Sequence, residues 1–179
     1  MKRIVRTAIV LLLFAAGQSE SVSASERCLP QLPGELKREL TSRFPDYRVL
    51  QLADLNQDDQ GIWEKAYPNA CPGIVTGKFS GATEEMAVLL IPSNANTNQI
   101  KVVVGGKNRG SNRLKEVFSE ERAGNLPVLR RSGAGIYEDR ISGVRIRAKH
   151  DVILLEHLEA TVTAIILDNG SIRTLRLAD

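Results

Sequence analysis

The sequence predicts an α+β fold, with one N-terminal helix packed on a mainly antiparallel β-sheet and a second short helix left open. Three observations lead to this prediction. Leucines recur every fourth residue in one early segment. Beyond residue 45, short apolar runs alternate with turn residues. An Asn-Gly pair separates two apolar runs near the end of the chain. We expect helix and sheet to form layers of one domain.

The start of the chain predicts an export signal, because basic residues precede an apolar run and a group of small residues follows it. These features are Lys2, Arg3, Arg6, Ala8–Ala16 and Val22-Ser23-Ala24. The run is too short for a membrane helix, which needs about 20 apolar residues. We therefore predict a signal peptide over 1–24 and a single globular α+β domain over 25–179. The mature chain would have no transmembrane segment and would be periplasmic or secreted.

The charge balance gives no sign of a nucleic-acid partner. The full chain has a formal net charge of +3, which falls to +1 once the predicted signal, with three basic residues and one acidic residue, is set aside. Aromatic residues make up 4% of the chain, which leaves few rings for stacking on bases.

The two cysteines, Cys28 and Cys71, predict one disulfide, since exported chains meet an oxidising compartment. The bridge would close a loop of about 43 residues and constrain the unfolded state by roughly 4 kcal/mol. The alternative is a pair of free buried thiols. A catalytic thiol is disfavoured, because neither cysteine lies in a Cys-x-x-Cys pair or near a histidine.

Residues 32–44 are predicted as the helix. Its apolar stripe consists of Leu32, Leu36, Leu40 and Phe44. Pro33 suits the first turn, and Pro45 ends the helix. The segment Asp54–Asn69 is interpreted as polar and irregular, and Ser111–Glu121 is the segment in which a second short helix is left open.

Short apolar segments after the helix are predicted as strands. They are Tyr47–Leu52, Ile74–Phe79, Met86–Ile91, Ile100–Val104, Leu126–Leu129, Val144–Ala148, Val152–Leu155, Val162–Leu167 and Ile172–Leu177. Met86–Ile91 has no polar position, so it should be central and covered on both faces. Leu126–Leu129 would be an edge strand because it contains Pro127.

The last two strands should form a hairpin. Asn169-Gly170 provides the two positive φ angles of a type I′ turn. In that register Leu167 faces Ile172, and Ala164 faces Leu175. One face of the hairpin should then be core. Its members are Val162, Ala164, Ile166, Leu175 and Leu177.

One stretch carries a family resemblance. Gly77-x-Phe79-x-Gly81, followed by Glu84-Glu85 and an apolar strand, resembles the strand–loop–strand unit of FG-GAP or VCBS-type repeats. The chain is more closely similar to small secreted bacterial proteins of unknown function that carry one such unit, with a Trp before Cys-Pro-Gly and a final Asp after a hairpin. The matching residues are Trp63, Cys71-Pro72-Gly73, Asp168-Asn169-Gly170 and Asp179. The resemblance covers 44–104 and 150–179.

In calcium-binding repeats of this type, acidic side chains between the glycines and the strand bind the metal. This chain has other residues at most of those places, namely Lys78, Ser80, Ala82 and Thr83. Only Glu84 and Glu85 remain, whereas calcium takes six or more oxygen ligands. The resemblance therefore implies a strand pairing, without the calcium site and without a propeller, which needs at least four blades.

A weak metal candidate lies after the first predicted strand. Asp54, Asn56 and Asp58 alternate as the first ligands of a calcium loop do. The sixth position is Asp59 rather than Gly, and the twelfth is Lys65 rather than Glu, which favours a solvated acidic loop. We predict no metal site and no cofactor.

No catalytic set is predicted, because the motifs of nucleophilic and zinc enzymes are absent from the sequence. A small hydrolase would draw on four candidate groups, Asp54, Asp58, His150 and His157, and at least two of them would have to meet in one pocket. Each histidine lies beside a carboxylate in the sequence. The alternative interpretation is that both are histidines of the surface or of strand ends.

Basic residues in the segment 107–149 are the remaining candidates. Lys107, Arg109, Arg130 and Arg131 would bind an anion if they shared a face. Interleaved acidic residues favour an ordinary mixed surface instead. We expect an exported non-enzymatic protein that binds a protein or a cell-envelope polymer. The alternatives are a small periplasmic hydrolase and an anion-binding envelope protein that uses 107–149.

Overall fold

The computed structural model describes residues 28–95, 97–106, 114–122, 124–158 and 160–177. The predicted signal peptide and the anion-binding candidates Lys107 and Arg109 lie outside the described residues. The described part is mostly antiparallel sheet with two short α-helices, which agrees with the predicted α+β class.

The helices are α1, Gly34–Arg43, and α2, Gln57–Ala66. The strands are β1 Tyr47–Val49, β2 Ile74–Gly77, β3 Glu85–Pro92, β4 Gln99–Gly106, β5 Lys115–Glu121, β6 Val128–Ser132, β7 Gly135–Glu138, β8 Arg145–Ala148, β9 Val152–His157, β10 Thr161–Asp168 and β11 Ser171–Leu177.

The strands form two sheets and a ribbon, and all pairs are antiparallel. In the first sheet, β1 and β2 both pair with the same edge of β3, while β4 and then β5 follow on its other side. The second sheet has the order β11-β10-β9-β6, and β7 pairs with β8 as a separate two-stranded ribbon.

Strand β3 is covered on both faces, as its unbroken apolar sequence predicts. Three of its side chains, Ala87, Leu89 and Ile91, lie in the core between the two sheets. The alternate side chains, Met86, Val88 and Leu90, pack with the buried leucines of α1. The layers are therefore α1, the first sheet, the second sheet and the β7–β8 ribbon, whose packing against the second sheet forms a third cluster.

Helix α1 lies within the predicted range 32–44. Leu36 and Leu40 are its buried residues, in keeping with their four-residue spacing. Polar side chains of α1 form hydrogen bonds with Leu114, the residue that precedes β5. Glu39 accepts a hydrogen bond from the Leu114 amide, and the Arg43 guanidinium donates to the Leu114 carbonyl. The helix thus contacts both the face and the far edge of the first sheet.

The predicted disulfide between Cys28 and Cys71 is confirmed. Both cysteines are buried in the cluster under α1, and their Cα atoms are 5.1 Å apart. The bridge ties the chain before α1 to the chain that enters β2. It therefore fixes the helical layer to the sheet that it covers.

Two predictions about helices are wrong. Lys115–Glu121, within the segment left open for a second helix, is strand β5, because pairing with β4 and burial of Val117 outweigh the helix-forming glutamates. The second helix is α2, inside the stretch interpreted as irregular. Asn56 caps it by accepting a hydrogen bond from the Asp59 amide at 2.8 Å.

The predicted terminal hairpin is confirmed in turn type and register. Asn169 and Gly170 have φ angles of 49° and 83°, and Ala164 pairs with Leu175. The predicted core face packs against the β7–β8 ribbon. The opposite face is also buried, since Ile165 and Leu167 belong to the core between the sheets.

Removing the disulfide should destabilise the protein strongly. The double variant Cys28→Ser/Cys71→Ser should lose about 4 kcal/mol of unfolding free energy, because a 43-residue separation closes a long loop in the unfolded chain. Urea denaturation of both proteins measures the difference. Equal midpoints would show that the bridge does not constrain the fold.

Gly73 should not tolerate alanine. A Cβ at this position would collide with the Leu50 carbonyl oxygen, which belongs to backbone and cannot turn away. Gly73→Ala should lower the unfolding free energy by about 1–3 kcal/mol. Gly81→Ala, where a Cβ meets nothing within 4 Å, is the matched control and should change it little. Similar melting curves for the two variants would contradict the close approach.

Candidate functional site

A cleft lies where the first sheet meets the second, and we call it the seam cleft. It has a volume of about 200 Å³ and is bordered by the end of α2, by β2 and by β6. Its lining residues are Trp63, Tyr67, Ala70, Cys71, Ile74, Val75, Leu129, Arg130 and Arg131. The Leu129 amide donates to the Pro72 carbonyl at 2.7 Å, which holds β6 against the chain that enters β2.

The floor of the seam cleft is aromatic. Trp63 is buried, and its indole Nε1 donates to the Ala70 carbonyl at 3.1 Å, so its one polar group is satisfied. The Tyr67 ring lies 4.7 Å from the indole, centroid to centroid, at the point where α2 ends. Helix α2 thus presents both rings toward the seam.

Two arginines of β6 form the rim. The Arg130 guanidinium lies 5.2 Å from the centroid of the Tyr67 ring and is paired with Glu156 at 2.7 Å. Its charge is therefore largely compensated by Glu156, and its central carbon lies over the ring. Because this contact joins side chains that are far apart in sequence, no local motif predicts it.

Arg131 is the accessible cation of the cleft. Its side chain is 56% exposed, and its nearest carboxylate oxygen, on Asp151, is 3.9 Å away. The guanidinium also donates to the Thr76 carbonyl at 3.4 Å. Such a contact with Asp151 is weak in water, so most of the hydrogen-bonding capacity of the guanidinium remains available to an anion.

The seam cleft therefore combines an apolar aromatic floor with a guanidinium at its mouth. This combination suits a carboxylate attached to an apolar or ring-shaped group, because guanidinium and carboxylate can form two parallel hydrogen bonds. The sequence singled out Arg130 and Arg131 as basic residues. It gave no sign that Trp63 and Tyr67 would join them.

Two of the three weak metal candidates, Asp54 and Asn56, are held in local hydrogen bonds. Asp54 accepts two hydrogen bonds of 2.6 Å from Arg48 and one from the Gln51 amide. Asn56 caps α2, and Asp58 lies exposed in the first turn of that helix. Across the described residues, no group of three His, Cys, Asp or Glu side chains is arranged to hold a metal ion.

Glu85 closes the loop between β2 and β3. It is one of the two acidic residues that this chain keeps at the metal-binding places of the repeat family. Glu85 accepts hydrogen bonds from the Ser80 amide and hydroxyl, each at 2.7 Å. Strands β2 and β3 pair across this loop in antiparallel fashion. The likeness to the repeat family itself stays a prediction.

Of the four candidate groups of the hydrolase alternative, His157 is the one that lines a cavity described here. His157 contacts Glu120, at 3.4 Å between Nε2 and Oε1, and it borders a shallow cavity beside Asn125. Asp54, Asp58 and His150 line neither that cavity nor the seam cleft. Among the described residues, neither of these two cavities brings His157 together with another of the four, and the hydrolase alternative stays a prediction.

Comparison of the chain with protein-family models, with curated proteins and with solved structures finds no match. The described helices are all too short to cross a bilayer.

The His157–Glu120 pair should make stability depend on pH. The hydrogen bond to the Glu120 carboxylate raises the pKa of His157, while partial burial lowers it, and the net pKa is above the ordinary 6.5. A raised pKa in the folded state gives stabilisation that is full below pH 6.5 and is lost as pH rises through the folded-state pKa.

Glu120→Gln should therefore cost up to about 1 kcal/mol near pH 5.5 and less near pH 8.5, a modest effect because the pair is partly exposed. Urea denaturation at both pH values measures it. Glu121→Gln, which removes a neighbouring exposed carboxylate, is the matched control. An equal loss for Glu120→Gln at both pH values would contradict the assigned pairing.

Proposed function

We propose that this chain is an exported, non-enzymatic binding protein whose seam cleft takes a carboxylate-bearing segment of a protein or of an envelope polymer. The observation that carries the proposal is Arg131, an exposed arginine that lines the same cleft as the rings of Trp63 and Tyr67. A ligand carboxylate would pair with Arg131, and the group that bears it would lie against Tyr67.

The fixed positions of the side chains in the cleft support a binding role. The rings of Trp63 and Tyr67 are fixed by packing and by the indole hydrogen bond, and Arg130 is held in place by Glu156. A ligand would meet a site that is already formed, so little conformational entropy is lost on binding. A modest affinity follows from the small volume of about 200 Å³.

The position of the disulfide supports export and binding together. Cys71 lines the seam cleft, and its bridge to Cys28 is buried. Stable structural disulfides are typical of oxidising compartments outside the cytoplasm. The bridge holds the chain between α2 and β2, and this segment forms one wall of the cleft.

The test is binding to two anionic probes, poly-glutamate with a peptide backbone and polygalacturonate with a sugar backbone. Arg131→Ala should weaken binding of the preferred probe about tenfold, which is the worth of one charge-assisted hydrogen bond. Arg147→Ala removes an exposed arginine of β8, outside the cleft, and should leave the affinity unchanged. Binding should also weaken with added salt.

The same measurements distinguish the two classes of partner. Tighter binding of poly-glutamate indicates a protein, and tighter binding of polygalacturonate indicates an envelope polymer. An equal loss for Arg131→Ala and Arg147→Ala would show diffuse attraction to a basic surface and reject the seam cleft. Absence of binding to both probes at low salt would reject the proposed function.

A further inference from the structure

The free edge of β11 is a second feature that could bind a partner, and it is separate from the seam cleft. Among the described strands, β11 ends the second sheet and pairs with β10 alone. A two-residue hairpin places alternate peptide groups of β11 toward β10, which leaves those of Ile172, Thr174 and Arg176 facing outward. Outward-facing groups of this kind can pair with another strand.

One of these three positions is already capped. The Arg176 amide donates to the Asp139 carboxylate at 2.9 Å, and the Arg176 carbonyl accepts from the Arg140 amide at 2.7 Å. Hydrogen bonds from the amides of Ser142 and Arg176 also lower the pKa of Asp139 to about 2, so this cap is charged at any ordinary pH. The turn between β7 and β8 therefore closes one end of the edge.

The other two positions form an open window. Within the part of the chain that the structure describes, the outward peptide groups of Ile172 and Thr174 have no hydrogen-bond partner. The Ile172 side chain is 37% exposed. The far end of the window is marked by Lys115, whose Nζ donates to the Gly170 carbonyl at 3.2 Å. The window accepts about three residues of an extended partner.

A cavity lies directly beside this window. It has a volume of about 320 Å³ and separates β5 from β10 and β11. Its lining includes Thr163, Thr174, Phe118 and Ile141, which is 72% exposed, and also three charged residues, Glu120, Asp139 and Arg176. Residues opposite Ile172 and Thr174 in an added strand would point their side chains to this face of the sheet. Apolar side chains suit the part of the cavity that Phe118 and Ile141 line.

The charge of Arg173 favours an acidic residue in the middle of the partner segment. Arg173 is exposed and lies between the two open positions on the other face of β11. A second copy of β11 paired through the same window would set Arg173 against its own counterpart, which is unfavourable. An acidic residue at that place would be attracted instead.

We infer that the β11 edge binds an extended peptide segment of a partner protein, with the pattern apolar–acidic–apolar, as an added antiparallel strand. The peptide groups of Ile172 and Thr174 supply the hydrogen bonds, the cavity takes the apolar side chains, and Arg173 pairs with the acidic one. This mode of recognition uses main-chain hydrogen bonds for affinity and alternate side chains for specificity.

The test is an NMR titration of the isotope-labelled chain with two capped peptides, Thr-Val-Glu-Val-Thr and Thr-Val-Lys-Val-Thr. The glutamate peptide should shift the amides of Ile172 and Thr174 and bind about tenfold more tightly than the lysine peptide. Arg173→Glu should reverse this preference, and Arg147→Glu, on β8, should keep it. Thr174→Pro removes an outward amide without breaking the β10 ladder and should abolish binding of both peptides.

Several results would overturn the inference. These are shifts confined to the seam cleft, no shift at millimolar peptide, an unchanged preference in Arg173→Glu, or self-association of the free chain through β11. The Arg131→Ala variant separates the two sites, because it should bind the glutamate peptide at β11 as the unaltered chain does. Loss of that binding in Arg131→Ala would also count against a separate site.

Discussion

The structure depends on one strand that has no polar face. Met86–Ile91 is apolar at every position, so β3 is stable only if both of its faces are removed from water. Helix α1 covers one face, and the second sheet covers the other. Each cover needs an attachment to the first sheet. The buried disulfide attaches the helical layer, and the contact between Leu129 and Pro72 joins the second sheet at the seam.

The two candidate binding surfaces follow from how the second sheet is attached. At one side its edge strand β6 meets the chain entering β2, and the side chains of α2 fill the corner to form the seam cleft. At the other side β5 and β11 remain apart, with a cavity between them. The two sheets are therefore joined at one side, and at the opposite side the edge of β11 stays open. The seam carries an aromatic floor and an exposed guanidinium, whereas the open edge carries peptide groups that have no hydrogen-bond partner among the described residues.

The sequence predicts the parts of this fold that are local or strongly patterned. The two-faced strand and the Asn-Gly hairpin with its register follow from local patterns. The pairing of Cys28 with Cys71 follows from the expectation that the two cysteines of an exported chain form one disulfide. Strand β5 was missed because its glutamates favour a helix and only its pairing with β4 makes it a strand. Helix α2 was missed because it is polar, although Asn56 and Asp59 provide a capping signal that could have located it. The contact of Arg130 with Tyr67 joins residues far apart in the sequence, and no local pattern predicts it. The sequence therefore indicated the two arginines of the seam cleft but not its aromatic residues.

Native-state hydrogen exchange tests most directly whether the two covers of β3 act as one cooperative unit. The amides of β3, Val88 and Leu90 among them, should exchange only through global unfolding and should be the slowest in the chain. Amides of the β7–β8 ribbon and of the outer side of β11 should exchange earlier, through local opening. Exchange of the β3 amides at or above the rate of the ribbon would contradict the view that this doubly covered strand holds the structure together.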